Sequence, residues 1–167
     1  MTNGGTLTVT TPSDREVQAI RLFNAPRELV FKALTTPDLL MRWMHGPNGW
    51  TLAVCEIDLR VGGAFRYVWR KANGREMGMG GVFREIVPPA RIVHVERFDE
   101  DWTGGETVVT TTLTQQAATT MLSVTVLYAS KAARDAALET NFAAGMEAGY
   151  DTLAEMLASL GGADARP

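Results

Sequence analysis

The sequence predicts an α+β domain in which helices cover one side of an antiparallel sheet. Residues 15–23 and then residues 51–128 alternate apolar and polar side chains, as strands do. Two short helical segments lie between these stretches, and residues 131–160 repeat apolar side chains with the period of about 3.6 residues of a helix. Strands grouped along the chain, with helices before and after them, are typical of helices segregated to one face of an antiparallel sheet.

The first strand is predicted at residues 15–23, and two short helices follow it. Pro26 stands where a helix begins, and residues 27–34 carry their apolar side chains on one stripe. Thr36-Pro37-Asp38 combines an N-cap, a proline at the first helical position and an acid in the first turn. We expect the second helix to end at Gly46-Pro47, because glycine followed by proline terminates helices.

Six further strands are predicted between the helices. They lie at residues 51–59, 64–70, 76–87, 91–98, 106–113 and 120–128. Their connections are short and contain turn residues, including Gly62-Gly63, Asn73-Gly74 and Pro88-Pro89. Asn-Gly is a strong signal for a two-residue hairpin, and short connections favour antiparallel neighbours. With the first strand, the predicted sheet has about seven strands.

A long C-terminal helix completes the predicted domain. Ser130 is a good N-cap, and Thr140-Asn141 separates a short leading helix from the main one. At ~1.5 Å per residue, residues 141–160 would span roughly 30 Å, enough to cross a sheet. We expect one domain over residues 14–160, with flexible tails at residues 1–13 and 161–167.

Composition excludes several classes of function. The 167 residues carry 16 basic and 19 acidic side chains, so the charge does not indicate nucleic acid or anionic membrane as a partner. Cys55 is the single cysteine, and His45 and His94 are the two histidines, so we expect no disulfide, metal or other cofactor. No signal peptide, membrane span or nucleotide-binding motif is visible, which predicts a soluble cytoplasmic protein.

Five sequence blocks resemble the START/birch-pollen-allergen superfamily, known as SRPBCC. They are the opening helices at 25–34 and 40–43, the DLRVGGAFR turn at 58–66, the GVFREIVPPARI hairpin at 81–92, and the GMEAGY helix from 145. The turn has valine in place of the usual proline. Within the superfamily, the blocks are similar to the group related to the activator of heat shock protein 90 ATPase.

The resemblance implies the helix-grip fold, in which a strongly curved antiparallel sheet wraps a long C-terminal helix over its concave face. It implies a small hydrophobic or aromatic ligand held between sheet and helix, with polyketide-cyclase-like chemistry if the protein is an enzyme, which stays open. One alternative is a chaperone-interacting stress-response protein. A full activator has an additional N-terminal chaperone-binding domain, for which this chain is too short. Another alternative is a non-catalytic dimerisation module, active as a homodimer.

Large apolar side chains are the candidate lining of such a ligand cavity. They are Trp43, Phe65, Tyr67, Trp69, Met77, Met79, Phe83, Phe98, Trp102, Phe142, Met146 and Tyr150. For any one of them, ordinary core packing is the simpler interpretation. Glycines at 78, 80, 81, 145 and 149 indicate either a cavity wall or close packing between helix and sheet.

His94 and Glu96 are the candidate catalytic residues. They share one face of their strand with Phe98, while Val93 and Val95 lie on the other face. If the histidine face points inward, the carboxylate and imidazole would form an acid–base pair in partly apolar surroundings. If the valines take the core instead, the pair lies at an exposed position or Glu96 pairs with an arginine, and the two valines favour this second arrangement.

Overall fold

The computed structural model of the protein describes residues 6–45, 49–101 and 104–164. In chain order the elements are β1 (Thr8–Thr10), β2 (Glu16–Phe23), α1 (Arg27–Thr35), α2 (Pro37–Trp43), β3 (Trp50–Ile57), β4 (Ala64–Lys71), β5 (Glu76–Val87), β6 (Arg91–Phe98), β7 (Thr107–Gln116), β8 (Thr119–Leu127), α3 (Lys131–Leu138) and α4 (Phe142–Asp164). The predicted α+β class and helix-grip arrangement are confirmed.

The eight strands form one antiparallel sheet in the order β1-β2-β8-β7-β6-β5-β4-β3. From β3 to β8 each strand pairs with its sequence neighbour, and β2 closes onto β8 with Glu16 opposite Leu127. The short connections predicted from glycine and asparagine therefore produce a meander. At the Asn73-Gly74 turn, Gly74 has φ +88°, a conformation that favours glycine.

The sheet has one strand more than the sequence predicted. Thr8–Thr10, within the segment expected to be a flexible tail, pairs with β2 from Gln18 to Ile20. The Leu7 backbone N–H next to it donates a hydrogen bond to the Glu147 carboxylate on α4, over 3.2 Å. Three residues are too few for an alternating pattern to be recognised in the sequence. At the other end, α4 extends to Asp164, beyond the predicted boundary at residue 160.

The helix boundaries follow local sequence signals. The Ser130 hydroxyl accepts a hydrogen bond from the Ala133 N–H at 3.0 Å and caps α3. The predicted break lies between α3 and α4. Thr36 has extended backbone angles at the start of α2 but makes no side-chain cap, so Pro37 carries that signal. The predicted helix end at Gly46-Pro47 lies outside the described residues. No helix in the described ranges is long and apolar enough to cross a membrane.

The main hydrophobic core lies between the concave face of the sheet, α1, α2 and α4. Phe23, Leu122, Leu153 and Leu157 are almost fully inaccessible to solvent there. A smaller cluster of Val17, Tyr128 and Ala137 lies beneath α3. These clusters fix which side of each strand points inward.

Two glycines differ in the space around them. A Cβ on Gly81 would meet the Val95 carbonyl and lie 2.8 Å from the Phe65 ring, so tight packing is the better interpretation there than a cavity wall. A Cβ added to Gly149 on α4 would lie 3.7 Å from the Trp43 carbonyl oxygen of α2, which is an ordinary contact distance. α4 therefore meets α2 at Gly149 and leaves room for a methyl group.

Candidate ligand and acid–base site

The register of β6 places His94 and Glu96 on the concave face. His94 lies between Phe83 of β5 and Val109 of β7, and Glu96 lies between Gly81 and Thr107. The His94 ring centroid is 5.1 Å from the Phe65 ring centroid, in an edge-on contact. The imidazole and the carboxylate therefore lie beside the aromatic core.

The opposite, convex face of β6 is covered by a row of apolar side chains. Val95 aligns across the convex face with Val82, Val108 and Leu127, which belong to three other strands. Val95 is only 6% exposed within this row, whereas Val82 at its end is 43% exposed. Val95 is therefore buried without taking part in the main core, and both faces of β6 are shielded.

His94 and Glu96 form a hydrogen-bonded pair. His94 Nε2 lies 3.0 Å from Glu96 Oε2, and each side chain is 18% exposed. In a filled core the exposed fraction of a side chain would be close to zero. This part of the concave face is therefore reachable from solvent. An imidazole next to a carboxylate can hold a proton and exchange it with a bound molecule, which is the requirement for general acid–base catalysis.

Tyr67 and Tyr128 flank this pair. Burial raises the pKa of Tyr67, and the negative charge of Glu96 is among the smaller causes. Burial also raises the pKa of Tyr128 to about 12, with a further contribution from Glu96. Neither hydroxyl has a hydrogen-bond partner in the part of the chain that the structure describes. Two protonated hydroxyls thus lie within electrostatic range of the carboxylate.

The sequence analysis named Tyr67 but missed Tyr128. Tyr128 ends the predicted strand at 120–128, in phase with the inward-facing Leu122, so strand alternation alone could have indicated it.

The predicted lining residues divide by burial. Six are buried in the main core, namely Trp43, Phe65, Trp69, Met79, Phe83 and Tyr150. Five are partly exposed, namely Tyr67, Met77, Phe98, Phe142 and Met146. Phe142 packs against the smaller cluster beneath α3 and lies apart from the other lining residues. Trp102 lies outside the described residues.

The aromatic side chains form a continuous wall along β4 and β5. Phe65 contacts Tyr67 and Phe83 at centroid distances of 5.1 and 5.3 Å, and Tyr67 contacts Trp69 at 6.0 Å. Such tilted and edge-on contacts stabilise the wall beyond its buried area.

Two of the tryptophans have structural roles. The Trp43 indole N–H donates to the Ala33 carbonyl at 3.0 Å, and the Trp69 indole N–H donates to the Met44 carbonyl at 3.0 Å. Both bonds tie α1, α2 and the sheet together. Because these donors are used, Trp43 and Trp69 can offer a ligand only their rings.

Arg21 is a buried charge that sequence analysis missed. Its side chain is 4% exposed on the concave side of β2, and its Nη1 lies 2.7 Å from Asp151 Oδ1 on α4. The Nε atom is enclosed and has no hydrogen-bond partner among the described residues. In the sequence, Arg21 alternates on the same strand face as Val17, Ala19 and Phe23, and this pattern could have indicated its burial. The pair connects the closing helix to the sheet.

A surface pocket of about 150 Å³ lies where β4, β5 and the end of β6 meet. Its lining includes Arg66, Gly78 and Asp99, and Arg66 donates to the two carboxylate oxygens of Asp99 through its Nη1 and Nη2 atoms. It does not include His94 or Glu96. Among the described residues, no three His, Cys, Asp or Glu side chains come together in a way that could hold a metal ion.

Comparisons with known proteins agree with this fold. The family model described as Activator of Hsp90 ATPase homolog 1-like protein matches residues 24–158. A crystal structure of a Rhodobacter sphaeroides protein is 36% identical, covers 93% of this chain and 99% of its own, and superposes with a TM-score of 0.88. A search of the curated proteins gave no match.

More distant structures share the fold. A Nitrosomonas europaea protein is 21% identical, with coverage of 90% of this chain and 98% of its own and a TM-score of 0.79. An Aeromonas hydrophila protein described as AHSA1-like is 18% identical, with coverage of 84% and 94% and a TM-score of 0.62.

Proposed function

Since the chain belongs to the Activator of Hsp90 ATPase homolog 1-like family, we propose that it binds a small hydrophobic or aromatic ligand between the concave face of the sheet and α4. The observation that carries the proposal is the His94–Glu96 pair, hydrogen-bonded at 3.0 Å among aromatic rings while each side chain stays 18% exposed. A polar, partly accessible pair inside an apolar surface is the usual character of a ligand site.

The neighbouring side chains support the same location. Tyr67 and Met77 on the sheet and Met146 on α4 are partly exposed although they pack against the main core. Methionine adapts to varied apolar shapes, and the tyrosine adds a hydroxyl beside Glu96. The apolar part of a ligand would contact these side chains and its polar tip would meet His94 and Glu96.

We propose further that the pair performs polyketide-cyclase-like acid–base chemistry. Glu96 would take a proton from the bound molecule, and His94 would hold or return it. General acid–base catalysis contributes about 100- to 10,000-fold. Glu96→Gln and His94→Gln should therefore keep ligand binding and lower turnover by at least about 100-fold. Unchanged turnover in both variants would contradict the acid–base role of the pair.

Ligand binding is tested by screening uncharged aromatic compounds with native mass spectrometry and locating each hit by NMR. The chain has two histidines, so His94 ring signals should shift on binding while His45 serves as the internal reference. A screen without hits, or hits that move only His45, would contradict the proposal.

A pair of variants on one helix separates site-filling from general damage. Met146→Trp should fill the space beside the core and abolish binding, because Met146 packs against the main cluster. Ala144→Trp is the matched control, since Ala144 is exposed on the same helix. Circular dichroism of both variants verifies that they fold. Equal binding by the two would contradict the location.

The family description favours one second candidate, interaction with the chaperone Hsp90. Adding the full chain to Hsp90 and measuring ATP hydrolysis tests it directly. Stimulation of ATP hydrolysis together with co-purification would support this function. The absence of both effects would refute it. Homodimerisation also stays a prediction, which sedimentation equilibrium of the full chain tests.

A further inference from the structure

The Glu96 carboxylate has one ion-pair partner among the residues that the structure describes. This partner is His94, which is charged only when it is protonated. With one proton on the imidazole the pair is neutral, and without it the pair carries one negative charge. The net charge of the pair is positive in neither of these two states. The pair would therefore not attract an anionic group.

The buried arginines are already paired. Arg21 binds Asp151, and its remaining Nε is enclosed by packed atoms. Arg134 binds Asp135 and the backbone carbonyls of Ser13 and Glu16. Both are buried, and they are the buried charged side chains among the residues that the structure describes. Neither buried arginine is therefore free to pair with a ligand carboxylate in the site.

The polar atoms that remain suit an uncharged group. Tyr67, which is partly exposed, presents a hydroxyl donor, and Glu96 presents carboxylate acceptors. A neutral hydroxyl, carbonyl or amide can bind such atoms without burying a second negative charge beside the first.

We propose that the concave site selects uncharged ligands, apolar molecules with one neutral polar tip, and rejects carboxylates such as fatty acids and aromatic acids. This selectivity rests on the proposed ligand-binding function. Its physical cause is repulsion from Glu96 at close range, which is strong because the surroundings are partly apolar. Glu96 is then a specificity-determining residue in addition to its role in proton transfer.

Naphthamide and naphthoic acid test this selectivity, because they have the same shape and differ in charge near neutral pH. Isothermal titration of the full chain should give a dissociation constant at least about tenfold higher for the acid. In Glu96→Gln, which removes the charge and keeps the shape, the ratio should fall to within about threefold. Glu85→Gln is the matched control, because Glu85 pairs with Arg91 on the convex face and should leave the ratio unchanged.

Each outcome decides the matter. Equal affinity of the wild-type protein for the two compounds would overturn the selectivity, and so would a ratio that stays the same in Glu96→Gln. If neither compound binds and the wider screen also has no hits, the ligand-binding function itself fails and the selectivity falls with it.

Discussion

Replacing Gly149 by alanine is expected to stabilise the protein by about 1–2 kcal/mol. Alanine is favoured over glycine in a helix interior by about 1 kcal/mol. The added methyl group would lie 3.7 Å from the Trp43 carbonyl oxygen and 3.9 Å from its ring, which are ordinary contacts at a buried position. Burying one such group contributes up to about 0.8 kcal/mol. The two gains have the same sign, so neither needs to outweigh the other.

Urea denaturation and calorimetry measure the effect of Gly149→Ala. A gain of this size should raise the melting temperature by about 3–6 °C for a chain of this length. Gly161→Ala is the matched control, because an added Cβ there has no neighbour within 4 Å. It should gain at most the helix contribution of about 1 kcal/mol. A loss of stability in Gly149→Ala would show that α2 and α4 lie too close for a methyl group, and would refute the reasoning.

Three further predictions follow from buried positions. Gly81→Ala should lower the free energy of unfolding by at least about 2 kcal/mol in urea, because the new Cβ would meet the Val95 carbonyl oxygen and lie 2.8 Å from the Phe65 ring. A neutral effect would mean that both the β6 backbone and the ring can move. Asp151→Ala should cost about 1–3 kcal/mol in the same assay, since it leaves the Arg21 charge buried while Asp151 itself is 65% exposed; an unchanged midpoint would show that the ion pair is dispensable. Burial raises the pKa of Cys55 to about 11 from 9.0, so iodoacetamide should alkylate the folded protein at neutral pH about 100-fold more slowly than an unfolded peptide thiol, and a rate within tenfold would contradict that burial.

The strands and helices could be predicted because their side chains repeat with different periods. Residues 76–87 and 91–98 were predicted with the bounds that β5 and β6 have in the structure. The break before α4 was also predictable, from polar Thr140-Asn141 between two apolar stripes. β1 was not, because a strand of three residues depends on its pairing with β2 and not on its own pattern.

The sequence of β6 could not show which of its two faces points toward the core. Val93 and Val95 alternate with His94, Glu96 and Phe98, so both faces carry apolar side chains. Val95 is buried by valines and a leucine from other strands, and only the register of the sheet brings those side chains to it. A one-strand pattern contains no information on register, and the orientation of the acid–base pair therefore required the structure.

The aromatic residues posed a similar difficulty. Sequence alternation predicted that Phe65, Tyr67 and Trp69 share a face, which they do. It could not show that Trp69 donates its indole proton to the Met44 carbonyl, or that Tyr67 has no such partner within the described part of the chain. Both facts depend on elements distant in sequence. Hydrogen-bond partners distinguish a structural aromatic side chain from one that is available to a ligand.

The described strands do not close into a barrel. Within the described ranges, β1 and β3 therefore each leave a row of backbone amides and carbonyls without a neighbouring strand. Such rows can recruit strands from other molecules and begin aggregation. β1 offers only three residues, and a bulge between Leu52 and Val54 interrupts β3. Neither row is a long, regular template for a new strand. The protein can thus keep an open, curved sheet around its site with little risk of polymerising through its edges.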